Sequence, residues 1–285
     1  MKKKINSDNY YPLVSVAITT YNGTVFLRKQ LDSIISQTYR NLEIVISDDG
    51  SNSTTIDILN EYAQKESRLR WSRSPLERGF VKNTQNSIAL SKGEIIFLCD
   101  QDDVWYDNKI ALHVEAYKDK SVAWVYNRLV LTDEDDTELG YLEDTIPNYY
   151  SKERIRLLNY TWGSCIGGAQ TSYRAHLVKE VMPVDRYAPA HDSWIQLALF
   201  PKKAFFIDRV LQVYRQHSKN ELGWAKKMTP EELLEREKQA IADNFRYLQH
   251  LPQNTTLAFW KRMFFFIVYY LKLVRKGVRK LFTQM

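Results

Sequence analysis

The chain predicts an α/β fold, a mostly parallel sheet flanked by helices, on three observations. Short β-branched runs alternate with amphipathic segments over residues 12–105. The runs are apolar at nearly every position, as in strands covered on both faces. Each run also breaks into a polar or acidic cluster, and in such sheets ligands gather at the carboxyl ends of the strands.

Residues 13–18 form the first run and end at the polar stretch 19–23. Leu27, Leu31, Ile34 and Ile35 recur at helical spacing within 25–36, with Thr24 as a candidate N-cap. Residues 42–47 are a second strand that breaks at Asp48-Asp49-Gly50-Ser51, and 56–65 a second helix with Ile58, Leu59 and Tyr62 inward. A third strand falls near 69–74, a loop at 75–79, a helix at 81–90, and a fourth strand at 94–99 that stops at Asp100. Beyond Trp105 the alternation weakens. Residues 122–131 read as a strand, 132–150 as a long acidic loop, 155–158 as part of a helix and 162–168 as a glycine-bearing turn. A strand and helix follow near 171–182, a segment opens at Ala190-His191-Asp192-Ser193, and 210–215 is the last strand before Gln216-His217.

With 285 residues the chain suits one catalytic domain, residues 1–220, and an appendage, 221–285. Within the domain the regular alternation of about 12–105 is set apart from the less regular stretch of about 106–220. The net charge of +6 crowds the end, since no acidic residue follows Asp243. The catalytic-looking part is therefore near neutral, and nucleic acid is not an expected partner. Two cysteines, Cys99 and Cys165, are too few for a disulfide framework and fit a reducing, cytoplasmic compartment. No apolar stretch follows Lys2-Lys3-Lys4, so no signal peptide is expected.

Several residues could carry chemistry. Asp100 and Asp102 stand two apart after a buried strand; in extended backbone both carboxylates would point one way, with Gln101 opposite. Mg²⁺ or Mn²⁺ held by one or two carboxylates, with diphosphate oxygens completing its shell, is one use of such a pair. A solvated acidic turn is the other. Asp48 and Asp49 could accept from a base imide or a ribose hydroxyl, or cap the helix that follows. Asp192 could serve as general base toward an acceptor hydroxyl, and Asp before Ser-Trp-Ile is equally a good N-cap. Arg215 could pair with a diphosphate and His217 ligate the metal, with a plain surface pair as the alternative. Arg78 and Lys82 are further diphosphate candidates.

Taken in order, VSVAITTYNG, LEIVISDDGS, GEIIFLCDQDDVWYDNKI, HDSW and VYRQH resemble glycosyltransferase family 2, inverting enzymes of the GT-A fold. The resemblance covers roughly residues 12–220 and implies a nucleotide-sugar half at about 12–105 and an acceptor half at about 106–220. It implies a nucleoside-diphosphate sugar donor, with Thr20, Asp48 and Asp49 lining the nucleoside pocket beside Tyr21 and Asn22. It makes Asp100-Gln101-Asp102 the metal-binding Asp-x-Asp element for Mn²⁺ or Mg²⁺, Asp192 the catalytic base, and His217 a group approaching the metal or diphosphate. The stretch from Asp100 to Trp105 followed by Lys109 is similar to bacterial rhamnosyltransferases of polysaccharide assembly, implying dTDP-rhamnose; UDP-hexose transferases share most of these residues. The acceptor would be a saccharide or a lipid-linked saccharide.

The tail mixes apolar and basic residues over 257–282. Its uninterrupted apolar run, 263–271, is nine residues, far below the ~20 that span a bilayer. An interfacial helix on an anionic membrane surface fits, placing the protein peripherally on the inner face of the cell membrane. Packing on the catalytic domain or on a second subunit, as a homodimer, is the alternative. A sugar-nucleotide pyrophosphorylase would need a glycine-rich phosphate loop, which Thr20-Tyr21-Asn22-Gly23 is not. A non-catalytic partner that keeps the fold and offers its tail to a membrane is the competing class, and it has no use for Asp100, Asp102 and Asp192.

Overall fold

The computed structural model describes residues 10–142, 166–186, 188, 190–199, 202–217 and 220. They belong to two compact units, one carrying the described parts of 1–147, 166–184 and 202–227, the other those of 185–201. Residues 185–201, expected inside the single stretch 1–220, thus belong to the second unit. The expected helix at 155–158, most of the turn at 162–168 and the tail from 221 lie outside the described residues.

In the first unit the elements are β1 (Val14–Thr20), α1 (Leu27–Ile35), β2 (Leu42–Asp48), α2 (Ser53–Lys65), β3 (Leu69–Arg73), α3 (Phe80–Leu90), β4 (Ile95–Cys99) and β5 (Val104–Trp105). They continue with α4 (Lys109–Ala116), β6 (Val122–Thr132), β7 (Glu138–Tyr141), β8 (Thr171–Arg174), α5 (Ala175–Glu180) and β9 (Lys203–Arg215). The second unit contributes α6 (His191–Leu199). Among the described residues the strands form one sheet in the order β3-β2-β1-β4-β8-β6-β9-β5, with β7 paired to β6. The first four are parallel, as their doubly covered pattern predicts. Beyond β4 the directions mix: β8 is antiparallel to β4 and β6, β9 runs parallel to β6, and β5 is antiparallel to β9.

The period of two along each strand decides what each face meets. Val14, Val16 and Ile18 join Ile44, Ile46, Ile95 and Phe97 on one face, covered by Leu27, Leu31 and Ile34 of α1, Ile58 and Leu59 of α2, and Ile110 and Val114 of α4. Truncating fully buried Leu31 to alanine should cost roughly 2–5 kcal/mol. Ser15, Ala17 and Ser47 alternate to the other face, where α3 packs on β1 and β2. The covered side of α3 is polar, with Asn83, Thr84, Asn86 and Ser87 buried, and Asn86 Nδ2 donates to Ser47 Oγ at 2.9 Å.

Some elements depart from the sequence pattern. Thr24 does not cap α1, which begins at Leu27 without a side-chain cap; the chain has already turned, with Leu27 N–H donating to Gly23 O at 3.1 Å. α2 starts at Ser53 because Asn52 accepts from Thr55 N–H at 3.0 Å. Part of the acidic loop is the hairpin arm β7, a four-residue strand whose apolar Leu139 and Tyr141 are exposed, too short a pattern to stand out from the loop. β9 extends back to Lys203 for the same reason: its first residues are exposed, and pairing with β6 makes them a strand.

Candidate active site

Register builds the site. Thr20 pairs with Asp48, and Ile18 with Cys99, so β1, β2 and β4 deliver residues 20–23, 48–51 and 100–103 to one rim. β5 pairs Val104 with Val213 and Trp105 with Gln212, which brings the end of β9 against the residues after β4. Among the described residues of the first unit, the sequence-predicted groups Thr20, Tyr21, Asn22, Asp48, Asp49, Gln101, Asp102, Arg215 and His217 all lie at this rim.

Asp48 is fully buried and spent on the loop itself. Its Oδ1 accepts from Thr20 Oγ1 at 3.2 Å, its Oδ2 from Gly50 and Ser51 N–H at 3.0 and 3.1 Å, and Arg73 Nε stands 3.7 Å away. Asp49 is half-exposed and accepts from Gly79 N–H at 2.8 Å, tying the 75–79 loop to the rim. Asn22, at φ 52°, bridges to the next loop: its N–H donates to Ser51 Oγ and its Oδ1 accepts from Asn52 N–H, each at 2.9 Å. Exposed Arg78 reaches over the same turn, since a methyl on Gly50 would lie 2.9 Å from its Nη2. Lys82 is half-buried on α3, next to Asn83, whose amide donates to Thr20 O at 3.2 Å.

Gln101 acts as a clasp. Its amide accepts from Tyr21 N–H at 3.0 Å and donates to Tyr21 O at 3.1 Å, joining the ends of β1 and β4 as a strand would. A Cβ on Gly23 would come within 2.2 Å of Gln101 Oε1, so only glycine admits the clasp. The expectation of extended backbone through Asp100-Gln101-Asp102 does not hold, because β4 ends at Cys99 and residues 101 and 102 form a bend.

Asp102 Oδ2 lies 2.9 Å from His217 Nε2, and both side chains are largely buried, at 15% and 10% exposure. The Phe26 ring stacks on His217 with centroids 5.0 Å apart. Arg215, expected to pair with a diphosphate, is held here by protein groups. It is fully buried, donates from Nε to Asp102 O at 3.1 Å, meets Asp136 Oδ1 through Nη1 at 2.5 Å, and lies 4.6 Å from the Phe26 centroid.

Behind Asp102, buried Asp103 accepts from Gln212 Nε2 at 3.4 Å, and Gln212 Oε1 accepts from buried Lys109 Nζ. Lys109 also donates to Ala169 O at 2.8 Å and sits 4.0 Å over the Trp105 ring. Burial, then the charges of Asp102 and Asp100, push the Asp103 carboxyl well above the usual carboxylate range, and burial pushes Lys109 down to about 7. Burial likewise raises the Cys99 thiol, so it is an inert packed cysteine.

Among the described residues no three His, Cys, Asp or Glu side chains form a ready-made metal cage. A divalent cation that retains water and takes diphosphate oxygens needs only one or two protein donors. The carboxylate of Asp102 and the imidazole of His217 supply that many, so the donor set fits Mg²⁺ or Mn²⁺ bound together with a diphosphate. Asp192 lies in the second unit, inside the first turn of α6 rather than at its cap, and its Oδ1 accepts from Ser193 N–H at 2.6 Å.

Sequence reasoning missed Asn83, Asp103, Lys109 as a buried cation, Asp136, Gln212, Phe26 and Asn220. Asn220 holds the His217 turn, accepting from His217 N–H and donating to Arg215 O at 3.1 Å. Two of these carry a sequence signal: the polar stretch VKNTQNS at helical spacing, and asparagine three residues after His217.

A glycosyl transferase family 2 profile matches residues 15–181. An uncharacterised glycosyltransferase of Rickettsia typhi is 28% identical over 252 residues, covering 81% of this chain and 77% of that protein. The Escherichia coli UDP-Glc:alpha-D-GlcNAc-diphosphoundecaprenol beta-1,3-glucosyltransferase WfaP is 32% identical over 115 residues, 40% of this chain and 45% of its own. S. aureus TarS in complex with UDP-GlcNAc superposes with a TM-score of 0.60 at 17% identity, over 87% of this chain and 69% of that one. The mannosyltransferase PcManGT of Pyrobaculum calidifontis, in complex with GDP-Man and Mn²⁺, gives 0.61 at 20% identity, over 84% and 65%. At such identities these superpositions show the shared GT-A fold. None of these relatives is named as a rhamnosyltransferase, so the resemblance holds at the level of the family. With a profile spanning more than half of the chain, the chain belongs to glycosyl transferase family 2 and is a nucleotide-sugar-dependent glycosyltransferase.

Proposed function

We propose that the chain is an inverting, metal-assisted hexosyltransferase that moves a sugar from a nucleoside diphosphate to a hydroxyl of a growing, lipid-linked bacterial surface polysaccharide. The observation that carries the reading is the Asp102–His217 pair, held 2.9 Å apart beside the Thr20–Asp48 and Asp49–Gly79 bonds of the neighbouring strand ends. Asp49, with Asn22 and Tyr21, receives the nucleoside, while Asp48 keeps the turn in shape. Asp102 and His217, with Asp100, hold Mn²⁺ or Mg²⁺, which when bound supplies Lewis-acid stabilisation of the departing diphosphate. Arg78 and Lys82 add positive charge from the 75–79 side. Asp192 takes the proton from the acceptor hydroxyl as that oxygen attacks the anomeric carbon from the face opposite the leaving group. UDP-Glc and UDP-GlcNAc among the relatives' donors support a UDP-hexose, and GDP-Man, the third, is likewise not dTDP-rhamnose.

The test is a panel of UDP, dTDP and GDP sugars assayed for transfer and hydrolysis with and without Mn²⁺. Metal-dependent turnover of one donor is expected; no turnover with any would favour the non-catalytic partner. Asp192→Asn should retain donor affinity and lose roughly 10²–10⁴-fold in transfer, and near-normal turnover would remove Asp192 from the role. No helix among the described residues is long and apolar enough to cross a membrane. Peripheral attachment to the inner face of the membrane is assigned to the basic tail. Removal of residues 256–285 should abolish binding to anionic vesicles, and unchanged binding rejects that assignment.

A further inference from the structure

Arg215 is the feature of the rim that the proposed reaction leaves without a task. Its charge is wholly buried, and a group that must grip a diphosphate oxygen needs donors facing the ligand. Instead Nε is committed to Asp102 O and Nη1 to Asp136 Oδ1, with Asp133 O and Glu134 O at 3.4 and 3.5 Å from the same nitrogen, and Nη2 is itself buried, with no hydrogen-bond partner among the described residues. Asp136 sits at φ 67° in the turn between β6 and β7 and is also bound by Lys29 Nζ of α1 at 2.5 Å. The guanidinium covers one ring, Phe26, and that ring stacks on His217. A closed circuit results. Arg215 holds the main chain of Asp102, Phe26 carries the contact from Arg215 to His217, and His217 returns to the Asp102 carboxylate.

We propose that Arg215, anchored by Asp136, is a positioning residue that sets the Asp102 carboxylate and the His217 imidazole at their mutual distance before cation or donor arrives. The proposal rests on the reading of Asp102 and His217 as metal-binding groups. Its physical basis is pre-organisation: a planar guanidinium fixes direction as well as charge, and stacking on an aromatic face fixes the plane of the ring. Groups behind metal ligands typically govern affinity by about 10–100-fold. Lysine at position 215 would keep the charge and lose both the fork and the stack. Asparagine at position 136 would leave the buried cation without its counter-ion.

The experiment measures Mn²⁺ affinity of the nucleotide-free protein and the His217 Nε2 resonance of metal-free, ¹⁵N-histidine-labelled protein, with thermal melting as the control for folding. Arg215→Lys and Asp136→Asn should each weaken Mn²⁺ about 10–100-fold and shift the His217 resonance, and Asp136→Glu should restore part of both. Variants that melt cooperatively yet keep wild-type Mn²⁺ affinity and an unshifted resonance overturn the proposal. So does an Arg215→Lys protein that binds Mn²⁺ normally and loses only UDP, which makes Arg215 a diphosphate ligand. If both charge variants fail to fold, Phe26→Leu removes the stack without stranding a charge, and an unmoved resonance there overturns the proposal. Should wild-type protein bind no Mn²⁺ at all, the metal reading fails, while the His217 resonance still decides whether Arg215 positions that ring.

Discussion

At the amino ends of β1 and β2 the carboxylate of Glu43 is enclosed by donors. Ser15 Oγ and Lys92 N–H reach its Oε1 at 2.5 and 2.6 Å, and Arg70 Nη1 reaches Oε2 at 2.5 Å. At the opposite ends of the sheet Asp103 is buried more deeply, its Oδ1 has no hydrogen-bond partner among the described residues, and Asp102 and Asp100 add charge of its own sign. The consequences differ in sign. Burial works to raise the Glu43 carboxyl, but the bonds from Ser15, Lys92 and Arg70 overcome it and leave the group below its ordinary 4.5, whereas Asp103 is driven up. One edge of the sheet spends its charge on holding strands together. The other accumulates like charges at a cost to stability, which is what a site awaiting a cation would show.

The sharpest way to break this contrast is Asp102→Asn. Transfer should fall roughly 10²–10³-fold, the scale for losing one electrostatic stabiliser, while thermal melting holds or rises because a like charge beside Asp100 and Asp103 is gone. A variant as active as wild type, with the same Mn²⁺ requirement, would show that the rim is not the metal site. Gly93→Ala should do the reverse. A Cβ there would lie 2.6 Å from Ser15 N and 2.7 Å from Leu13 O, both main-chain atoms. Overpacking of that kind costs about 1–3 kcal/mol, to be seen in urea unfolding, with kcat/KM of the folded enzyme unchanged.

The smallest effect sharpens the comparison through pH. Glu43→Gln should cost about 1–2 kcal/mol near neutrality, after discounting the part of Arg70 that solvent screens. The folded-state pKa of Glu43 lies below its unfolded value of 4.5, so this stabilisation is fully present above that value and is lost as pH falls through the folded pKa. The stability difference between wild type and Glu43→Gln should therefore shrink in acid; a gap that widens there would contradict the assignment.

Much of the site was legible because strand ends announce themselves. Thr20, Asp48, Asp49 and Asp102 each end or follow an apolar run, and the parallel register of β1, β2 and β4 carries such residues to one rim without any contact being known, whereas His217 comes there through the antiparallel β5–β9 pair. The partners of these groups were not legible. Gln101 clasps a main chain 80 residues away, Arg215 turns inward to Asp136 rather than outward, and Lys109 is buried among Gln212, Ala169 and Trp105. A charged residue in a polar stretch is read as solvated until its neighbours are known.

What the sequence determined by itself was the alternation of strand and helix, hence a sheet covered on both faces with polar clusters at its carboxyl edge. Periodicity is a local property, and parallel pairing leaves few topologies to choose from. Only the tertiary structure decided that Asp48 is consumed by its own turn, that the Asp100–Asp102 stretch bends, and that Arg215, Phe26 and His217 close a circuit around Asp102. Those outcomes depend on which side chain fills the last coordination of each buried polar atom, and such pairings join residues up to 115 positions apart, where no local pattern reaches.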